Sequence, residues 1–328
     1  MRTLSRSVIS LSALALASAG MVVGAGTASA ALTTYCDGDA ADVTVPGDLV
    51  VAKGDSCDLD GVTVDGEVRV QAGADLLLTD SSIGGRVVVN PDGYVDATGT
   101  EVAGNLISKG SYGVYLDESS IGGAFSERAV EGADPFLYSY DSSIAGKVTV
   151  EQGLVHLQTV TIGGAVSSDN ATYTDIIDST LARGLTVSAN AEGTSVCGSE
   201  VDGAAAFTGN AGVQLGTGGG IIDCDDANYF GSDVTVSDTT AGVDVSTNII
   251  RGALTGEGND PAPTGADNRV RGEVGGQFTD LSPAMQKARA FAAAEDAETH
   301  AEELDSQREE RRAAAEKKAE DAGPANLR

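Results

Sequence analysis

The chain has 328 residues, with 49 Asp and Glu against 20 Lys and Arg and a formal net charge of −29. That surplus repels phosphate backbones and anionic lipid, so it argues against nucleic-acid binding; it would suit calcium or cationic partners, but is read first as keeping a long rod soluble. Tryptophan is absent and histidine occurs only at positions 156 and 300, which excludes Trp-lined sugar sites and histidine-based metal centres.

Residues 1–30 read as an export signal. Arg2 and Arg6 open it, an apolar stretch follows over residues 8–23, and Ala28 and Ala30 stand at the small-residue positions of a cleavage site. The expectation is a Sec-type signal peptide cleaved after Ala30, a secreted product, and no membrane attachment thereafter. The apolar stretch is nearly long enough for an anchor helix, but the A-x-A ending argues for cleavage.

Residues 31–280 repeat. Taking the third residue of each [IVL]-x-G as an anchor gives Gly47, Gly66, Gly85, Gly104, Gly123, Gly146, Gly164, Arg183, Gly203, Ser232, Gly252 and Gly272. Most intervals are 19 or 20 residues. One interval of 23 holds an insertion near Gly132–Pro135, and one of 29 holds the long loop that contains Gly216–Gly220. Two before the anchor come Val64, Ile83, Val102, Ile121, Ile144, Ile162, Leu181 and Val201; two after come Val68, Val87, Leu106, Phe125, Val148, Val166, Leu185 and Ala205. Apolar residues alternate within short runs broken by Gly, Asp, Ser and Asn, which is the period of strands joined by turns. Short strands, a corner at each anchor and a fixed period near twenty together predict a parallel β-helix, all-β, right-handed by the commoner sense of parallel crossovers. Neither a helical repeat of 34 or more residues nor a leucine-rich pattern fits. Asp80, Asp141 and Asp178, each before Ser-Ser or Ser-Thr, are expected to hydrogen-bond at one corner.

Four cysteines in an exported chain predict disulfides, and the repeat favours neighbours: Cys36–Cys57, about one coil apart, and Cys197–Cys224, flanking the long loop. Residues 281–328 differ. Ser282-Pro283 reads as a helix start, and an Ala-, Glu-, Arg- and Lys-rich run stops before Gly323-Pro324. The apolar face of this tail is thin (Met285, Phe291 and Leu304), so a solvated helix is expected, with a docking segment as the alternative.

Two places could carry chemistry. Eleven and thirteen residues after the anchors, an outward face collects Tyr115, Tyr138, Tyr140 and His156 beside Asp96, Asp117 and Asp175. Aromatic rings with carboxylates suit a glycan, although stacked tyrosines also simply stabilise strand pairing. The second is the acidic string Asp223, Asp225 and Asp226 beside the long loop. Paired carboxylates can act as acid and base, but no histidine or basic string accompanies them, so weak calcium binding or plain solvation suits them better. No other cofactor is called for.

The coil, with G-D-L-V-V at Gly47–Val51 and G-K-V-T-V at Gly146–Val150, resembles the bactofilin-type polymer-forming β-helix over roughly residues 40–280. The whole chain is similar to the exported β-helix proteins of actinobacteria. The first resemblance implies end-to-end self-assembly; the export signal and the cysteines depart from it. The second implies a compartment and a fold. The expected role is a non-catalytic structural or surface-interaction protein of the cell envelope or matrix. A protein that binds or cleaves cell-wall or extracellular polysaccharide is the alternative.

Overall fold

The computed structural model describes residues 32–281 and 290–327, with side chains of the last helix described from residue 305 on. The export signal and the Ser282-Pro283 helix start lie outside the described residues. So do Met285 and the side chains of Phe291 and Leu304.

Alternation and corners make the chain wind as a parallel β-helix. Among the described residues three sheets line its sides. Sheet A has twelve strands, from Thr33–Cys36 to Leu254–Thr255, and sheet B has eleven, from Gly38–Ala41 to Gly242–Ser246. Sheet C has twelve two-residue strands, from Thr44–Val45 to Arg269–Val270. Each strand pairs in parallel with its equivalent one coil away, for example Val68 with Val87 and Val87 with Leu106. The repeat columns are therefore physical columns. Ile83, Val102, Ile121 and Ile144 stack in register along sheet C and are buried. Each such side chain contributes about 1.5–3 kcal/mol of burial. A slip of one residue would turn a whole column to solvent, so register is strongly held.

The anchors recur because the backbone crowds there. Gly66, Gly85, Gly104 and Gly123 each donate a backbone N–H to the preceding anchor's carbonyl at 2.9–3.1 Å. A Cβ on Gly85 would lie 2.6 Å from the Gly66 carbonyl oxygen. Where Arg183 and Ser232 replace glycine, the bonds they accept from Gly203 and Gly252 lengthen to 3.3 and 3.2 Å. The corner between sheets B and C is left-handed: φ is +45° at Asp80, +47° at Glu118, +45° at Asp141 and +48° at Asp178. Asp tolerates that region better than most residues. The next side chain then bonds upward. Ser81, Ser119, Ser142 and Ser179 are buried, and their hydroxyls accept N–H groups from the coil before, as in Ser119 N–H to Ser142 Oγ at 2.9 Å. The hydrogen bonding expected at these corners is made by the serines, while the aspartates supply the left-handed turn.

Both disulfides form: Cys36–Cys57 across the first two coils and Cys197–Cys224 at the root of the long loop. That loop is pinned from below by buried Gln214, whose Nε2 donates to the Ile222 carbonyl (2.8 Å) and whose Oε1 accepts the Ile222 N–H (3.1 Å).

The chain closes both ends of its own column. The 3₁₀ turn Gly276–Phe278 brings Phe278 into the core beside Gly256 at one end. At the other, the Asp39 N–H donates to the Gly323 carbonyl (3.2 Å), the Ala325 N–H donates to Asp39 O (2.7 Å), and Leu327 is buried in the core. One acid points inward. Glu127 follows Phe125 on the inner face of sheet A, is 3% exposed, and has no hydrogen-bond partner on either carboxyl oxygen. Burial pushes its pKa up to about 7; the nearby Gly110 N–H, not aligned for a hydrogen bond, holds the rise back a little, and Glu151 adds to it.

Candidate functional site

Sheet B carries the aromatic residues, and its register brings them together. One outward column runs Asp58, Leu77, Asp96, Tyr115, Tyr138, His156, Asp175. A second runs Thr79, Thr98, Asp117, Tyr140, Gln158. These are the columns read from the anchors. The Tyr115 and Tyr140 rings are 5.6 Å apart, and His156 lies 5.6 Å from Tyr138 and 5.3 Å from Tyr140. Asp175 accepts from the Ser195 hydroxyl. Tyr138 and Tyr173 share a hydroxyl–hydroxyl bond, and burial raises the pKa of both.

A third outward column escaped the sequence reading: Asp75, Tyr94, Gly113, Phe136, Leu154 and Tyr173. Phe136 lies over Gly113, where a Cβ would come within 2.2 Å of the ring. Tyr94, Tyr112 and Phe136 then meet with centroids 5.7–6.2 Å apart, two of the three pairs edge to face. An aromatic on every second coil was present as Tyr94, Phe136 and Tyr173; the indels between them hid it.

The face is not open. Asp96 is 0% exposed, Tyr115 7% and Tyr138 1%. The C-terminal helix, α1 (Ala290–Ala322), lies along strands Gly38–Ala41, Ser56–Asp60 and Asp75–Thr79. This corrects the expectation of a solvated tail: the described part of α1 is docked on the solenoid. Its inner face is Arg308, Arg311, Arg312, Ala315 and Ala319, spaced for one side of a helix. Ala315 and Ala319 are buried, so the backbone comes close to the sheet.

The arginines do the rest. Arg312 Nη1 donates to Asp96 Oδ1 at 2.6 Å, and Arg308 Nε to Asp96 Oδ2 at 3.2 Å. The Tyr94 hydroxyl donates to the same Oδ2 at 2.6 Å. The buried carboxylate thus has charge-assisted bonds on both oxygens, which its burial requires. Burial works against the charge of Arg308 and Arg312, but Asp96 together with Tyr115 and Tyr94 at Arg308, and Asp96 together with Glu316 at Arg312, outweigh it, so both pKa values rise. The Arg308 guanidinium lies 3.4 Å from the centre of the Tyr115 ring. Arg311 donates to Asp75 Oδ1 (2.7 Å) and the Asp92 carbonyl (3.0 Å), 4.8 Å from the Tyr112 ring centre. Arg308 and Arg312, about one helix turn apart, therefore converge on Asp96, and Arg311 reaches Asp75 on the neighbouring coil. The structure places the rings and carboxylates singled out in the sequence side by side, and near Asp96 and Tyr115 the chain's own arginines lie on them.

The acidic string sits elsewhere. Asp223, Asp225 and Asp226 are exposed on the disulfide-tied loop, and the structure does not bring them to the aromatic face. Among the described residues no three His, Cys, Asp or Glu side chains are grouped to hold a metal ion. No described helix is long and apolar enough to cross a membrane.

No protein-family model, curated protein or solved structure matches this chain.

Proposed function

We propose that this protein works outside the cytoplasm as a non-catalytic structural and surface-interaction rod. The observation that carries the reading is self-closure. The repeat spends its inner columns on a continuous core, Leu327 and Phe278 plug the two ends, and the arginines of α1 cover the aromatic face around Asp96. Two buried disulfides suit an oxidising compartment, and a β-helix so tied is consistent with an extracellular structural protein. Closed ends favour single rods over filaments, because an unpaired strand edge is what recruits another chain.

Light scattering and negative-stain electron microscopy of residues 31–328 test this. Monodisperse rods are expected, and deletion of residues 323–328 should promote end-to-end association by freeing Asp39 and the core beneath Leu327. Filaments of the full chain would favour a polymer instead. Release of reducing sugar from an extracellular polysaccharide, lost on Asp225→Asn with Asp226→Asn, would replace the rod with a glycoside hydrolase.

A further inference from the structure

The aromatic face continues past the helix. Beside Tyr112 and Gln307 a groove of about 690 Å³ opens along sheet B. Tyr112, Phe136 and Leu154 line it, and the buried Phe136 ring fits there because Gly113 has no side chain. One wall is the four-residue insertion that breaks the repeat, carrying Glu131 and Asp134. Asp134 is steadied by the Thr172 hydroxyl at 3.3 Å, and Asp92, which also faces Arg311, is in the lining as well. None of the lining residues is basic.

The neighbouring positions show what such a surface holds. Arg308 rests on the Tyr115 ring and bonds Asp96; Arg311 reaches over Tyr112 and bonds Asp75. Each pairs one planar guanidinium with one ring and one carboxylate. The groove offers the same kinds of group a third time, with the half-buried Tyr112 ring and the exposed carboxylates of Glu131 and Asp134 in its lining. Guanidinium is the cation best suited to it, being planar, weakly hydrated and able to stack and bond at once.

We propose that this groove binds an arginine side chain of a partner polypeptide, held between the Tyr112 ring and the acidic insertion wall. It rests on reading the protein as an interaction rod, and it names the partner's chemistry. The body of the chain, ten Lys and Arg against 38 Asp and Glu over residues 31–280, would draw a basic segment towards it from a distance.

The test is fluorescence anisotropy with a labelled hexapeptide containing two arginines, its lysine counterpart and its citrulline counterpart. The general negative field is controlled by charge-matched variants: Glu131→Gln with Asp134→Asn in the groove, and Asp223→Asn with Asp225→Asn in the distant loop. All four side chains are exposed, so the fold is unaffected, which circular dichroism checks. The groove variant is expected to weaken arginine-peptide binding about tenfold or more, and the loop variant to leave it within about twofold. Lysine should bind several-fold more weakly, and citrulline not detectably. Equal losses in the two variants would reduce the effect to non-specific attraction and overturn the site. So would tighter binding of a glucosamine oligomer that displaces the peptide, which would make the groove a glycan site. Absence of peptide binding by protein that light scattering shows as single rods would remove the groove and leave the rod reading standing.

Discussion

Replacing Glu127 by glutamine should stabilise the protein in neutral and basic solution and do little in acid. The carboxyl is buried in the solenoid wall without a hydrogen-bond partner, and its pKa rises from the ordinary 4.5 to about 7. Because the folded state holds this proton more tightly than the unfolded chain, its contribution is fully present below about pH 4.5 and is lost as pH rises through 7. The rise from 4.5 to about 7, at about 1.4 kcal/mol for each tenfold change in proton affinity, puts the loss at about 3.5 kcal/mol once the pH is well above 7. Glutamine keeps the shape and cannot ionise. Urea unfolding of the parent and Glu127→Gln at pH 5 and pH 8 is the assay, and the difference between the two cancels the titration of the many other acids. Glu127→Gln should be about 1 kcal/mol more stable at pH 5 and about 3 kcal/mol more stable at pH 8. A difference that does not grow with pH, or a variant less stable than the parent at pH 8, would refute the reasoning.

Gly85→Ala should cost about 2–3 kcal/mol, because its new methyl meets backbone of the coil below on three atoms within 2.8 Å. Gly219→Ala, which meets nothing within 4 Å, should be nearly neutral in the same thermal melts. Cys197→Ser with Cys224→Ser removes a cross-link over 27 residues and should cost about 3.5 kcal/mol, with the 217–227 loop becoming the first site of proteolytic nicking; an unchanged melting temperature would contradict it.

The solenoid was legible because each coil must repeat its constraints. Gly85 and Gly104 mark where backbones touch, Ile83 and Val102 where the wall faces inward, and Asp80 and Asp141 where the corner turns left-handed. The columns holding Asp96, Tyr115, Tyr138 and Asp117 followed from the same count. What covers them did not, because a search for an apolar stripe passes over α1: its docking face is three arginines and two alanines, and its partners are carboxylates some two hundred residues away. The spacing 308, 311, 312, 315, 319 was present, and only the acids at Asp75 and Asp96 give it meaning. The insertion at Gly132–Pro135 was visible as an interval of 23, while its service as a groove wall depended on Phe136 folding over Gly113.

The occupation of the aromatic face by the chain's own helix is tested most directly by hydrogen exchange across residues 305–322 in the parent, Asp96→Ala, Arg312→Ala and the double variant. Removing one partner of a buried ion pair costs about 3–5 kcal/mol, limited here by the arginines regaining water when the helix lifts. Protection in the parent should fall at least about tenfold in either single variant, and the double variant should lose little more than the worse single, as coupled partners do. Helix amides that exchange equally fast in the parent and in Asp96→Ala would contradict docking, and with it the assignment of Asp96 and Tyr115 to the chain's own arginines.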